Sequence, residues 1–202
     1  MKGSRSKKEF FDKEALVWEE KHYPPEVRQK LEDLVISEFS IIPGIRVLDV
    51  GTGTGILIPY LVKLLGNTGL ICSLDLSFPM VCEAKKKLSR MQDGVVCADV
   101  HHLPFRSEAF DRVICFAAFP HFDEPKKAIG EMTRVIKPGG MLVIAHLLSR
   151  EELARHHASR SEVAKDLLPD DETFLHLADA YGLRVEKIDD RPGRFVLKAF
   201  KN

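Results

Sequence analysis

Apolar and polar positions along the chain switch between two periods. Short, nearly unbroken apolar runs occur at 46–50 (RVLDV), 69–74 (GLICSL), 95–98, 110–116 (FDRVICF) and 141–145 (MLVIA), and they read as strands. Between them, 56–65, 79–90 and 124–136 read as helices. In the second of these, Met80, Ala84 and Leu88 recur at i, i+4 and i+8 beneath a lysine-rich outer face. The third ends at Lys137-Pro138-Gly139-Gly140, because proline cannot continue a helix and glycine tolerates the turn. Strands alternating with helices predict a doubly wound α/β fold, a parallel sheet with helices on both faces. Strands buried on both sides are apolar throughout, as these are.

The pattern changes on either side of this block. The first 40 residues read as two helices, the second starting at Pro24-Pro25, where proline is tolerated. After Leu148, residues 150–165 and 171–181 read as helical. The runs 183–188 (LRVEKI) and 195–200 (FVLKAF) alternate about a Pro192-Gly193 turn and predict an antiparallel hairpin.

Composition narrows the function classes. The 202 residues fit one domain. They carry 30 basic and 30 acidic side chains, so no bulk electrostatic attraction to nucleic acid is expected and no nucleic-acid partner is predicted. No apolar run approaches the ~20 residues of a membrane span, and the N-terminal stretch lacks a secretion-signal core; a cytoplasmic location is expected. Cys72, Cys82, Cys97 and Cys115 form no CxxC pair. They read as buried reduced thiols, with a soft-metal or redox site as the alternative.

The chemistry concentrates in Val47–Gly55, VLDVGTGTG, a glycine-rich turn between a strand and a helix. In an open parallel sheet ligands sit beyond the carboxyl ends of the strands. The dinucleotide fingerprint needs G-x-G-x-x-G, but Gly51, Gly53 and Gly55 are followed by Ile56, which counts against an NAD-dependent oxidoreductase. A P-loop would need Gly-Lys-Ser/Thr. Asp75 ends the second strand, about 20 residues past the loop, where a carboxylate can accept from ribose hydroxyls. Asp99 ends the third strand and suits an exocyclic amine. Three carboxylates without a phosphate-binding lysine describe a neutral or cationic nucleoside, such as S-adenosylmethionine, better than a pyrophosphate.

VLDVGTGTG, LDLS, CADVHHLPF, FDRVICF and EMTRVIKPGGMLVI together resemble the class I S-adenosylmethionine-dependent methyltransferases. Within them the chain is most similar to the small-molecule branch that includes the menaquinone and ubiquinone C-methyltransferases. The resemblance implies a Rossmann-like seven-stranded sheet in the order 3-2-1-4-5-7-6 with the seventh strand antiparallel. It implies a helical lid over residues 1–40, a methyltransferase domain over 41–202, and an acceptor-side cover at 147–181. Asp49, Gly51, Gly53 and Gly55 would shape the pocket for methionine and ribose. Asp75 would bind the ribose, with Leu76 beside the adenine, and Asp99 would meet the adenine amine, with Val100 alongside. Phe116 and Ala117 would border the sulfonium. Asp111 is expected to be structural.

Methyl transfer from a sulfonium is an in-line displacement in which positioning and desolvation do most of the work. A base is needed only where the nucleophile must lose a proton. His121 and His146 follow neighbouring strands ~4.8 Å apart and could converge over the reacting carbon. Four readings stand: acid–base or orienting groups, a metal site including His146 and His157, ordinary polar residues, and nucleic-acid contact, which the balanced charge disfavours. The acceptor is expected to be a small molecule of unspecified class, and oligomeric state is not legible. The alternative is a cofactor- or metal-binding protein of this fold without methyl transfer. An aminopropyl transferase would need acidic groups that FAAFPHF lacks.

Overall fold

The computed structural model describes residues 2–159 and 161–202, with side chains described from residue 7 onward. Seven strands form one sheet: β1 (Arg46–Val50), β2 (Leu70–Asp75), β3 (Gly94–Cys97), β4 (Phe110–Phe116), β5 (Ile136–His146), β6 (Leu183–Arg191) and β7 (Arg194–Lys201). Their order is β3-β2-β1-β4-β5-β7-β6, as the resemblance implied. β1 to β5 pair in parallel, while β7 runs antiparallel to both β5 and β6.

The helices are α1 (Lys2–Glu14), α2 (Trp18–His22), α3 (Pro25–Glu38), α4 (Ile58–Leu65), α5 (Phe78–Lys85), α6 (Pro125–Val135), α7 (Arg150–Ala158) and α8 (Asp171–Ala180). Alternate residues of β4 feed the two halves of the core. Val113 and Cys115 pack with Met132, Phe174 and Phe195 on one face; Ile114 and Phe116 pack with Leu31, Leu61 and Val81 on the other. This two-sided burial is why the strands carry no polar alternation. Glu38, at the end of α3, fastens the first helices to the terminal hairpin. It meets Lys187 and Lys198 at 2.9 Å each, and Arg194. These partners outweigh its burial and hold its carboxyl down at about 2.

Four expectations shift. Three helices, not two, precede β1. The helix read over 150–165 stops at Ala158; residues 161–165 form turns in which Val163 is buried, and Arg160 lies outside the described residues. β5 begins at Ile136 rather than at residue 141. Phe110 pairs with Ile136, and the Pro138-Gly139-Gly140 stretch is absorbed as a bulge, with Gly139 at φ +72°. Cys97 is exposed, since β3 is an edge strand, whereas Cys115 is buried.

Candidate functional site

A cavity of about 460 Å³ opens at the carboxyl ends of β1, β2 and β4, where the parallel sheet leaves its loops. Its floor is the glycine loop. The amides of Gly51 and Thr52 both donate to the carbonyl of Leu74 at 2.9 Å, closing the loop onto β2. Gly51 has φ +71°, and a Cβ there would stand 2.3 Å from the Cβ of Ala118. Gly53, at φ +55°, turns its N–H to the Asp75 carboxylate at 2.8 Å. Gly51 is thus required by conformation and by close approach, and Gly53 by conformation. Gly55 does not line the cavity: a Cβ there would meet Ile58 at 2.7 Å and Ala84 at 3.0 Å, so it lets α5 approach the loop.

Three carboxylates ring this floor. Asp49 is buried at 1% exposure and receives the Thr52 hydroxyl at 2.6 Å. Burial, reinforced by the neighbouring Asp75 charge, pushes its pKa up to about 7 against that hydrogen bond. Asp75 accepts from Gly53 through one oxygen and from Ser77 N–H at 2.9 Å through the other. Burial raises its pKa despite these bonds. Ser77, not Asp75, caps α5. Asp99 opens a 3-10 turn (Val100–His102), accepts from His101 N–H at 2.9 Å and faces His101 Nδ1 at 2.6 Å. Leu76, Val100, Phe116 and Ala117 line the cavity beside them. Ala117 sits at φ +54°, an uncommon conformation for a residue with a Cβ, held by its N–H bond to Ala145. Asp111 lies at the far end of β4, accepting from Arg46 N–H at 2.8 Å and pairing with Lys137; it is structural.

The first helices cover the opening. Phe11 and Trp18 line it and meet edge to face at 5.6 Å. Glu19 ties α2 to the glycine loop: it accepts from the Thr54 hydroxyl at 2.7 Å and pairs with Arg28 at 2.8 Å and with Lys87. Those bonds outweigh burial and lower its pKa. Lys7 and Lys8 also line the cavity, yet neither carries an uncompensated charge. Lys8 pairs with Asp12 at 2.6 Å, and Lys7 bridges Asp123 and Asp166 at 2.8 Å each.

Of the two predicted histidines, His121 alone lines the cavity. His121, in the 3-10 turn Phe119–His121 after β4, lines the cavity. Its Nδ1 lies 2.8 Å from the Asp166 carboxylate. His146 ends β5 but lies outside the lining; its Nδ1 accepts the Leu148 N–H at 3.0 Å. Burial first, then three histidine neighbours, lower its pKa to about 3. It is therefore neutral across physiological pH, and the expected convergence over one reacting carbon does not occur. His157 is buried on α7, with Nδ1 2.6 Å from the Asp166 carbonyl oxygen. Among the described residues no three His, Cys, Asp or Glu side chains converge as a metal site. Glu152, which shares a helix face with His156, is engaged in a capping box with Ser149.

Sequence reasoning missed Lys7, Glu19, Tyr23 and Asp166. Tyr23 lines the cavity with its pKa raised by burial and by Glu19 and Asp49. Asp166 stands in DLLP, a stretch with no periodicity to flag it. Glu19 sits beside Trp18, and that pairing of an aromatic with an acid on a short helix was the available signal.

Residues 48–144 match the family described as a methyltransferase domain. The chain is 40% identical over 114 residues to a demethylmenaquinone methyltransferase of Renibacterium salmoninarum, covering 55% of this chain and 45% of the relative. It is 32% identical over 137 residues to a ubiquinone/menaquinone biosynthesis C-methyltransferase of Bordetella parapertussis, covering 66% and 48%. The chain thus spans about half the length of these curated relatives. A solved SAM-dependent methyltransferase from Aquifex aeolicus superposes with TM-score 0.70 at 26% identity, over 89% of this chain and 100% of that one. Residues 48–144 accordingly match the methyltransferase-domain family, and the chain has the fold of the solved S-adenosylmethionine-dependent methyltransferase.

Proposed function

We propose that the chain transfers a methyl group from S-adenosylmethionine to a small-molecule acceptor. The carrying observation is the trio Asp49, Asp75 and Asp99 around a glycine floor, in a cavity whose two lysines are already paired with carboxylates. A buried carboxylate such as Asp49, without a cationic partner, is chemically completed by a positively charged ligand and not by a pyrophosphate. The close approach at Gly51 leaves backbone where a side chain would otherwise fill the cradle.

Bound there, S-adenosylmethionine supplies a methyl group on a sulfonium leaving group. Asp75 accepts a backbone N–H on each oxygen and would hold the ribose hydroxyls through its remaining acceptor capacity. Asp99 takes the adenine amine, with Leu76 and Val100 along the ring. Phe116 and Ala117 border the sulfonium. Helices α1 and α2 act as the lid, placing Phe11 and Trp18 over the cavity to exclude water. The cover spanning 147–181 closes the acceptor side.

The acceptor class this reading favours is a quinone-type ring. Support comes from the names of the relatives and from the aromatic lining of Phe11, Phe116 and Phe122. Calorimetric titration with S-adenosylmethionine and, separately, NAD tests the cofactor. Saturable binding of the first alone is expected. Binding of NAD, or of neither, would overturn the reading.

A further inference from the structure

The acceptor side holds a buried polar cluster that the cofactor does not need. Asp166, in the cover after α7, is buried at 5% exposure. One of its oxygens meets His121 Nδ1 at 2.8 Å and the other meets Lys7 Nζ at 2.8 Å. Its backbone carbonyl accepts from His157 Nδ1 at 2.6 Å. Lys7 also reaches Asp123 at 2.8 Å and the carbonyl of His121 at 3.3 Å. The His121 ring packs edge to face on Phe11 at 5.2 Å and lies 5.1 Å from the His157 ring. Three stretches of chain, α1, α7 and the segment that carries Asp166, therefore hold one imidazole, and His121 lines the cavity.

We propose that His121 is the catalytic base that takes a proton from a hydroxyl of an aromatic acceptor, and that Asp166 positions it. This rests on the methyl-transfer reading above. Asp166 fixes the proton on Nδ1, which leaves Nε2 as the accepting nitrogen for an occupant of the cavity. The groups facing His121 are Lys7 from α1, Asp123 from the following turn, Asp166 from the cover, His146 from β5, and His156 and His157 from α7. Burial lowers the pKa of both His146 and His157, so these two stay neutral. One ammonium, that of Lys7, bridges the two carboxylates of Asp123 and Asp166. The hydrogen bonds from His121 and Lys7 outweigh burial and keep Asp166 ionised.

The step balances. His121 Nε2 takes the hydroxyl proton as the acceptor's electron pair forms a bond to the methyl carbon. The electrons of the breaking carbon–sulfur bond stay on sulfur, which becomes a neutral thioether. Attack through oxygen gives an ether, and attack through a ring carbon gives a neutral dienone that tautomerises. In both cases one proton leaves on His121 and passes from the imidazolium to water.

Nitrogen-15 NMR of the histidine rings tests this without turnover. The wild-type protein, saturated with S-adenosylhomocysteine, is titrated anaerobically with 1,4-dihydroxynaphthalene and with its dimethyl ether. We expect His121 to carry its proton on Nδ1, its Nε2 signal to move with the diol, and the ether to bind at least ~10-fold more weakly. Asp166→Asn should abolish the fixed tautomer. His121→Gln keeps a hydrogen-bonding side chain but cannot take the proton. With the diol and S-adenosylmethionine it should lower kcat ~100-fold, while Asp166→Asn lowers kcat ~10-fold. Both variants should bind S-adenosylhomocysteine as wild type does. An unresponsive His121, an equal response to diol and ether, or an unchanged kcat in His121→Gln would overturn the pair. Wild-type protein that binds no S-adenosylhomocysteine would instead overturn the methyl-transfer reading.

Discussion

Asp75 meets its glycine-loop partner 22 residues upstream, through a loop joined directly to β1, whereas His121 reaches Asp166 45 residues downstream, in a stretch that is neither helix nor strand. The two ends of one cavity are thus built differently. The proposed cofactor end is made by strand termini, whose positions the sheet fixes. The proposed acceptor end is made by α1, a 3-10 turn and an irregular segment that must dock on one another. A site on strand ends inherits the rigidity of the sheet; a site on docked segments is tuned by individual ion pairs.

The comparison breaks most severely at Gly51. Gly51→Ala places a Cβ 2.3 Å from Ala118 at φ +71°. Backbone strain and overpacking together should cost roughly 4 kcal/mol, and cofactor binding should vanish. Thermal melting and calorimetry read both. A variant that melts and binds as wild type does would show the loop to be slack.

Glu38→Gln separates stability from the site. It leaves Lys187, Arg194 and Lys198 facing a neutral amide, remote from the cavity. A loss of about 3 kcal/mol is expected, with cofactor affinity unchanged. The folded-state pKa of about 2 lies below the ordinary 4.5, so this stabilisation is present above pH 4.5 and lost as pH falls toward 2. Melts of wild type and variant should converge over that window; a constant gap would contradict the assignment.

The finest effect is at Asp49. With its pKa raised to about 7, it is largely protonated at pH 6 in the ligand-free protein. A cationic ligand favours the carboxylate, so binding should release up to about one proton at pH 6 and little at pH 8. Enthalpies in buffers of different ionisation heat measure this. Asp49→Asn should show no release, and release from that variant would assign the proton elsewhere.

Legibility followed the same division. The strand order, the glycine loop and the carboxylates Asp49, Asp75 and Asp99 are legible because each lies in or beside the strand pattern that places it. Spacing alone cannot tell a glycine that faces ligand from one that faces Ala84, so Gly55 looks like pocket lining in the sequence. Adjacent strands put His146 beside His121 in the sequence pattern, but its ring accepts the Leu148 amide. Asp166 and Lys7 carried no local signal; only docking of the lid on the cover makes them partners.

The most direct measurement is the affinity for S-adenosylmethionine of wild type, Asp75→Ala and Asp166→Asn, titrated side by side. Loss of the charged acceptor in Asp75→Ala should weaken binding by about 2 kcal/mol, roughly 30-fold, while Asp166→Asn stays within about twofold. Equal affinities for wild type and Asp75→Ala, or an equal loss in both variants, would contradict the division of the cavity into a cofactor end and an acceptor end.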